Sequence, residues 1–190
     1  MRVISGNYGS RRLKAVPGQN TRPTTDKIKE SMFNLIGGYF DGGICLDLYA
    51  GSGALAIEAV SRGMDSAVLC EKHRPAIETI NENLKMTKEE ERFTLLKGDN
   101  HKSLRNYASS QMTEPFKLLF LDPPYHKQQI EKDIQWLWKL EMINNQTTIV
   151  CETDSDVILP DSIEGYELVK VKDYGATRIH IYEGEENSVE

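Results

Sequence analysis

From residue 44 onward the chain alternates between two patterns of apolar and polar positions. Short, nearly continuous apolar runs recur as "ICLDLY", "SAVLCE", "FTLLKG", "FKLLFLD" and "TTIVCE". Between them, "ALAIEAVSRG", "RPAIETINENLKM", "NHKSLRNYASSQ" and "KQQIEKDIQWLWKLEMI" space their apolar residues at helical intervals. Apolar strands separated by helices predict a parallel sheet covered on both faces. The tail changes pattern. "YELVKVKDYG" and "TRIHIYEG" are two strand patterns around a turn with no helix between them, which predicts an antiparallel hairpin at one edge of the sheet. The fold class is therefore α/β, with a seven-stranded, mostly parallel sheet ending in an antiparallel hairpin.

Ahead of this alternation, "RVIS" and "RRLKAV" flank "GNYGS", a turn sequence that predicts a short β-hairpin. "PGQNTRP" reads as a loop, and a helix is expected within "TTDKIKESMFNLIGGYF". Thr24 or Thr25 would cap it, and Asp26 suits its positive end. Ile28, Met32, Leu35, Ile36 and Tyr39 would form one apolar face. The organisation expected is an N-terminal arm over residues 1–24, one α/β domain over 25–184, and an acidic end at 185–190 without fixed structure.

Composition narrows the classes. A length of 190 residues suits one domain with a sizeable core. No apolar run approaches the ~18 residues of a membrane span, and "MRVISGNYGSRRLK" lacks the apolar stretch of a secretory signal. Cys45, Cys70 and Cys151 form no C-x-x-C pair and read as buried thiols of a reducing cytosol. His73, His101, His126 and His180 are scattered, so no metal site is expected. Net charge is −6, but it is unevenly spread. Residues 1–30 hold seven basic side chains against two acidic ones, a charge of +5 that leaves −11 on the other 160 residues. A basic arm on an acidic body is expected where one small surface meets phosphates, with a solvated N-terminus as the equally weighted alternative. The basic residues concerned are Arg2, Arg11, Arg12, Lys14 and Arg22.

Candidate chemistry lies at the ends of the predicted strands. The first runs into "LDLYAGSGALAIEA", where Tyr49, Gly51 and Gly53 precede a helix whose first N–H groups can meet an anion. Glu71 ends the second strand, where a ribose-binding carboxylate belongs. The loop alone fits a dinucleotide as well as S-adenosylmethionine. Asp47, four residues before Gly51, favours the latter, because a carboxylate there can reach an ammonium group and would repel a pyrophosphate. Asp99 in "KGDN" could accept from an adenine amino group or simply cap the next helix. The fourth strand ends in "DPPY", residues 122–125. Two prolines make a stiff corner. Asp122 and the Pro123 carbonyl could take the two hydrogens of an amino group, Pro124 would stiffen the turn, and Tyr125 could stack on a base.

Across nearly its whole length the chain resembles the RsmD family of bacterial 16S ribosomal RNA guanine-N2 methyltransferases, a Class I S-adenosylmethionine-dependent group with a Rossmann-like fold. The resemblance rests on "RVISGNYGSRRLKAV", "TRPTTDKIKESMFNLI", "DLYAGSGALAIEAVSRG", "DPPY" and "YGATRIHIYE". It implies that Asp47, Tyr49, Gly51, Gly53, Glu71 and Asp99 hold S-adenosylmethionine, with S-adenosylhomocysteine as product and no metal. Asp122 to Tyr125 would hold the target base and the arm would bind RNA, in a cytoplasmic monomer acting on 16S rRNA or the small ribosomal subunit. Similar corners serve adenine, cytosine and glutamine amides, so a DNA or protein-amide methyltransferase stands as the alternative. A nicotinamide-dependent oxidoreductase and a catalytically silent RNA-binding module stand further off.

Overall fold

The computed structural model describes residues 1–18, 25–124 and 128–185. Arg22, Tyr125, His126 and the acidic end from 186 on lie outside the described residues. Eight strands form one sheet in the order β3-β2-β1-β4-β5-β8-β7-β6. They are β1 (Ile44–Asp47), β2 (Ser66–Glu71), β3 (Phe93–Lys97), β4 (Leu118–Leu121), β5 (Thr148–Asp154), β6 (Ser162–Ile163), β7 (Tyr166–Tyr174) and β8 (Thr177–Gly184). The five from β1 to β5 pair in parallel. β8 then runs antiparallel to β5, and β7 antiparallel to β8. The expected seven strands are joined by β6, which pairs only Ser162 and Ile163 with Glu167 and Tyr166. Two residues are too few for any period to reveal.

Helices cover both faces. On one side α1 (Asp26–Leu35), α2 (Ala54–Ser61) and α3 (Arg74–Thr87) pack with Met32, Phe33, Ile57, Val60, Ile80 and Leu84 against the sheet. On the other, α4 (Asn100–Ser110) and α5 (Ile130–Lys139) bury Leu104, Tyr107, Ile130, Ile134 and Leu137. All three cysteines are free and buried.

The α1 reading needs correction. Thr25 caps it by accepting from the Ile28 N–H at 3.2 Å, but the helix ends at Leu35 and Ile36 is its cap. Tyr39 lies beyond it, 64% exposed; the fully buried positions of the inward face are Lys29, Met32 and Phe33, with Ile28, Leu35 and Ile36 packed partly buried against the same core. A lysine counted as polar hid that face. Lys29 is buried because Glu58 of α2 lies 3.3 Å away and the Arg2 carbonyl accepts from its Nζ at 2.7 Å. Burial lowers its pKa against the pull of Glu58.

The same Glu58 docks the arm. Its oxygens accept from the Ile4 and Ser5 N–H groups at 2.8 and 3.1 Å and from Arg62 Nε at 2.8 Å. The expected hairpin is reduced to a single bridge, Arg2 with Arg12, and a few backbone bonds such as Val3 N–H to the Arg11 carbonyl. Val3, Tyr8 and Leu13 enter the core. At Gly6 a Cβ would stand 1.8 Å from the Ser61 carbonyl oxygen, and the next amide, Asn7, donates to that oxygen at 2.8 Å. A turn pressed this closely on α2 admits only glycine.

Candidate active site at the carboxyl edge

The strand order reverses between β1 and β4, and α/β sheets bind ligands at such a switch point. Register aligns the two strands there. Asp47 pairs with Phe120, and the Leu48 N–H donates to the Phe120 carbonyl at 3.2 Å. The Asp122–Pro123 corner therefore leaves the sheet two residues beyond the level of Asp47.

After β1 the chain turns sharply. The Ala50 N–H donates to the Cys70 carbonyl, and the Gly53 N–H returns to the Ala50 carbonyl. Gly51 has φ +57, and nothing stands within 4 Å of where its Cβ would be. The backbone there is bare toward open space. Gly53 caps α2 with no side-chain hydrogen bond, so the helix presents its first N–H groups uncapped.

Asp47 is only 1% exposed, and among the described residues neither carboxylate oxygen makes a well-formed hydrogen bond, although the neighbouring Tyr49 amide acts to lower its pKa. A buried carboxylate without a well-formed hydrogen bond is costly. Burial first, then the charge of Glu71, push its pKa up to about 7. Glu71 is held differently. One oxygen accepts from the Gly51 N–H at 2.9 Å, the other from the Lys72 and His73 N–H groups at 3.0 and 2.9 Å. A carboxylate offers about four acceptor positions, so three amides fix Glu71 and leave room for one more donor.

Asp99 does what a capping residue does: it accepts from the Lys102 N–H at 2.9 Å at the start of α4. Beside it, Asn100 Nδ2 reaches the Leu48 carbonyl at 3.4 Å, tying the β3 loop to the β1 loop. Asp122 and Pro123 are half-buried and Pro124 is exposed. Asp47 and Glu71, the last residues of β1 and β2, and Tyr49, Gly51, Gly53, Asp99 and Asp122 in the loops thus all lie at one edge. Its carboxylates suit a cationic ligand and oppose a pyrophosphate. Among the described residues no group of three or more His, Cys, Asp or Glu side chains could hold a metal ion.

The arm's cations have several environments. Arg2 and Arg12 are exposed. Lys14 pairs with Glu82 at 2.8 Å on the surface. Arg11 packs over the Tyr8 ring, and its guanidinium donates to the Met86 and Thr87 carbonyls at 3.0 and 2.8 Å. It closes the C-terminal end of α3, a structural use that the charge count did not reveal.

One cluster escaped the sequence reading. The Tyr49 hydroxyl donates to Asp133 Oδ2 at 2.5 Å, and His101 Nε2 lies 3.5 Å from Asp133 Oδ1. Asp133 is 0% exposed, and its pKa is raised by burial. Burial and the bond to Asp133 raise that of Tyr49 as well. A signal existed: Asp133 falls on the apolar face of "IEKDIQWLWK", between Ile130 and Leu137.

The family described as "Conserved hypothetical protein 95" matches residues 1–183. The chain belongs to this family. Its relatives include "Putative rRNA methyltransferase YlbH" of Bacillus subtilis, 41% identical over 96% of this chain and 98% of that one. "Ribosomal RNA small subunit methyltransferase D" of Haemophilus influenzae is 31% identical over 96% and 93%. Among solved structures, "Putative methyltransferase yhhF from Escherichia coli" superposes with a TM-score of 0.79 at 29% identity, covering 97% of this chain and 98% of that chain. This is the RsmD family that the sequence motifs resemble, and the Rossmann-like methyltransferase fold is shared.

Proposed function

We propose that this member of the RsmD family transfers a methyl group from S-adenosylmethionine to the exocyclic N2 amino group of a guanine in 16S ribosomal RNA. One observation supports the cofactor reading: a buried carboxylate, Asp47, with no cation and no well-formed hydrogen bond among the described residues, beside a bare glycine loop at the switch point. A cationic ammonium would satisfy it and return it to the charged form. Gly51 would allow close approach of the ligand, and Glu71 has one acceptor position left for a ribose hydroxyl. Asp99 keeps its capping bond and can offer a second oxygen. Bound there, S-adenosylmethionine would supply an electrophilic methyl carried on a sulfonium.

The corner's residues have a definite task. The lone pair of an exocyclic amino group is delocalised into its ring, so the amine is a poor nucleophile. Asp122 accepts one of its hydrogens, and the Pro123 carbonyl, fixed by the proline ring, accepts the other. The lone pair is then aimed away from both. Asp122 also opposes the positive charge that grows on nitrogen, and Tyr125 fixes the plane of the base by stacking. Exposed Arg2, Arg12 and Lys14, with Arg22, would meet phosphate. The substrate is 16S rRNA alone or within the small subunit, and no helix among the described residues is long and apolar enough to cross a membrane.

The test is nucleotide mapping of ribosomal RNA from a deletion strain, followed by restoration with the purified chain and S-adenosylmethionine. One guanine should lose and regain its N2 methyl. Loss of a methyl from DNA or from a protein amide instead would select the alternative acceptor.

A further inference from the structure

The sheet's carboxyl edge holds a second concavity that shares only Asp99 with the proposed methyl-transfer machinery. It lies between the first turns of α4 and the start of α5, with a volume of about 530 Å³. His101, Lys102 and Arg105 line it, together with the amides of Asn100, Asn106 and Gln129. Asp99 is the one carboxylate on its rim, and that group already caps α4.

The imidazole is built in place. His101 stacks on Trp136 with ring centres 4.1 Å apart and planes 8° from parallel. Asp133, fully buried and itself braced by Tyr49, lies 3.5 Å from the Nε2 edge. The ring is thus backed by one aromatic and pinned along one edge, yet its side chain stays 38% exposed toward the cavity. Arg105 lies 5.9 Å from the Trp136 ring centre, one helical turn from His101. Lys102 is exposed beside them.

A planar surface flanked by two cations and several amides is the combination that reads single-stranded RNA. Bases stack on such rings, phosphates meet the cations, and amides satisfy base edges. The position also fits. Gln129 caps the start of α5 and Asp122 follows the end of β4, so the cavity and the corner share the sheet's carboxyl edge. Charge points the same way: outside the first 30 residues the chain carries −11, yet Lys97, Lys102 and Arg105 stand exposed on this edge.

We propose that this cavity is a subsite for a nucleotide of single-stranded RNA next to the methylated base, its base stacked on His101 and its phosphate held by Lys102 and Arg105. The inference rests on the proposed function for its substrate and adds a second contact, remote from the N-terminal arm, that sets the strand's path across the edge.

The experiment measures binding of a fluorescent single-stranded RNA oligonucleotide to the full chain over a salt series, with S-adenosylhomocysteine affinity and melting temperature followed in parallel. His101→Ala should weaken RNA binding by about tenfold, the scale of one stacking contact, and His101→Phe should restore most of it. Lys102→Ala with Arg105→Ala should lower the salt slope by about two. S-adenosylhomocysteine affinity should hold in all of them. Unchanged RNA affinity and slope would overturn the subsite, as would a parallel fall in S-adenosylhomocysteine affinity, which would assign the cavity to the cofactor. Binding that ignores His101 in a chain that does methylate ribosomal RNA removes the subsite alone. Binding that depends on His101 in a chain that methylates no RNA keeps the subsite and removes the function.

Discussion

Glu58 and Asp47 are both buried carboxylates, one inside α2 and one at the end of the strand that leads into it, and they are treated in opposite ways. Glu58 meets two backbone amides, Lys29 and Arg62, and is 0% exposed. Asp47 makes no well-formed hydrogen bond among the described residues and has only the Tyr49 amide beside it as a donor. A buried acid with all its positions filled holds the arm, α1 and α2 together. A buried acid with none filled costs the free protein stability, and in the proposed function it is the group that a cationic ligand would satisfy. Burial alone does not separate structure from site; the state of the partners does.

Breaking the filled network should give the largest effect. Glu58→Ala leaves Lys29 and Arg62 buried without their anion, and two arm amides without an acceptor. Loss of one member of a buried pair costs about 3–5 kcal/mol, so a large drop in urea midpoint is expected, with protease cutting first within residues 1–18. An unfolding free energy within ~1 kcal/mol of wild type would show that Glu58 is not the clasp.

Next comes the corner, where the proposed function has an acid act on the substrate. Asp122→Ala should reduce the single-turnover rate on ribosomal RNA on the order of 10²–10³-fold, the usual effect of losing a preorganised charge-stabilising group. Cofactor affinity should stay near wild type, and Asp122→Asn should retain more activity than Asp122→Ala because its amide oxygen still accepts. Wild-type rates for Asp122→Ala would reduce the two prolines to a turn.

Asp47→Asn sharpens the contrast from the other side. It should weaken S-adenosylmethionine binding roughly 10–100-fold, the scale of a charge-assisted hydrogen bond, while leaving the ligand-free protein as stable or more so. Its pH behaviour has a fixed sign. The folded pKa is raised from 3.8 to about 7, so the native state binds the proton more tightly than the unfolded chain does. Stability from this group is full below pH ~4 and is lost as pH rises toward ~7. Thermal melts of ligand-free Asp47→Asn should lack that decline, and saturating cofactor should flatten it in the wild type. The smallest effect belongs to the arm's surface. Arg12→Ala with Lys14→Ala should lower the salt slope of RNA binding by one to two. The companion Arg11→Ala should act on melting temperature instead, because its guanidinium closes α3.

The contrast also marks what the sequence disclosed. All five α/β units and the terminal hairpin were legible, because β1, β2, β4 and β5 are largely buried on both faces and read as apolar runs, and β3, only partly buried at the sheet edge, still carries Phe93, Leu95 and Leu96. The loop residues Asp47, Gly51, Glu71 and Asp122 were legible because they sit at strand ends, where topology alone puts them together. What failed were residues whose burial depends on a partner far along the chain. Lys29 and Glu58 are polar in any window and become core only through each other. Asp133 lies on an apolar helix face for the sake of Tyr49, 84 residues away. Arg11 was counted as free charge because the end of α3 is 75 residues downstream.

Those separations carry a consequence in time. The arm is synthesised before anything that holds it: Ile4 waits 54 residues for Glu58, and Arg11 waits 76 for the Thr87 carbonyl. At about 5–20 residues per second of translation, that is a delay of roughly 4–15 s between the synthesis of Arg11 and that of Thr87. Throughout it Val3, Tyr8 and Leu13, core residues in the finished molecule, have no core to enter. The first segment made therefore docks only after the chain has been written as far as the end of α3, so placement of the arm follows the completion of α3 rather than the order of synthesis.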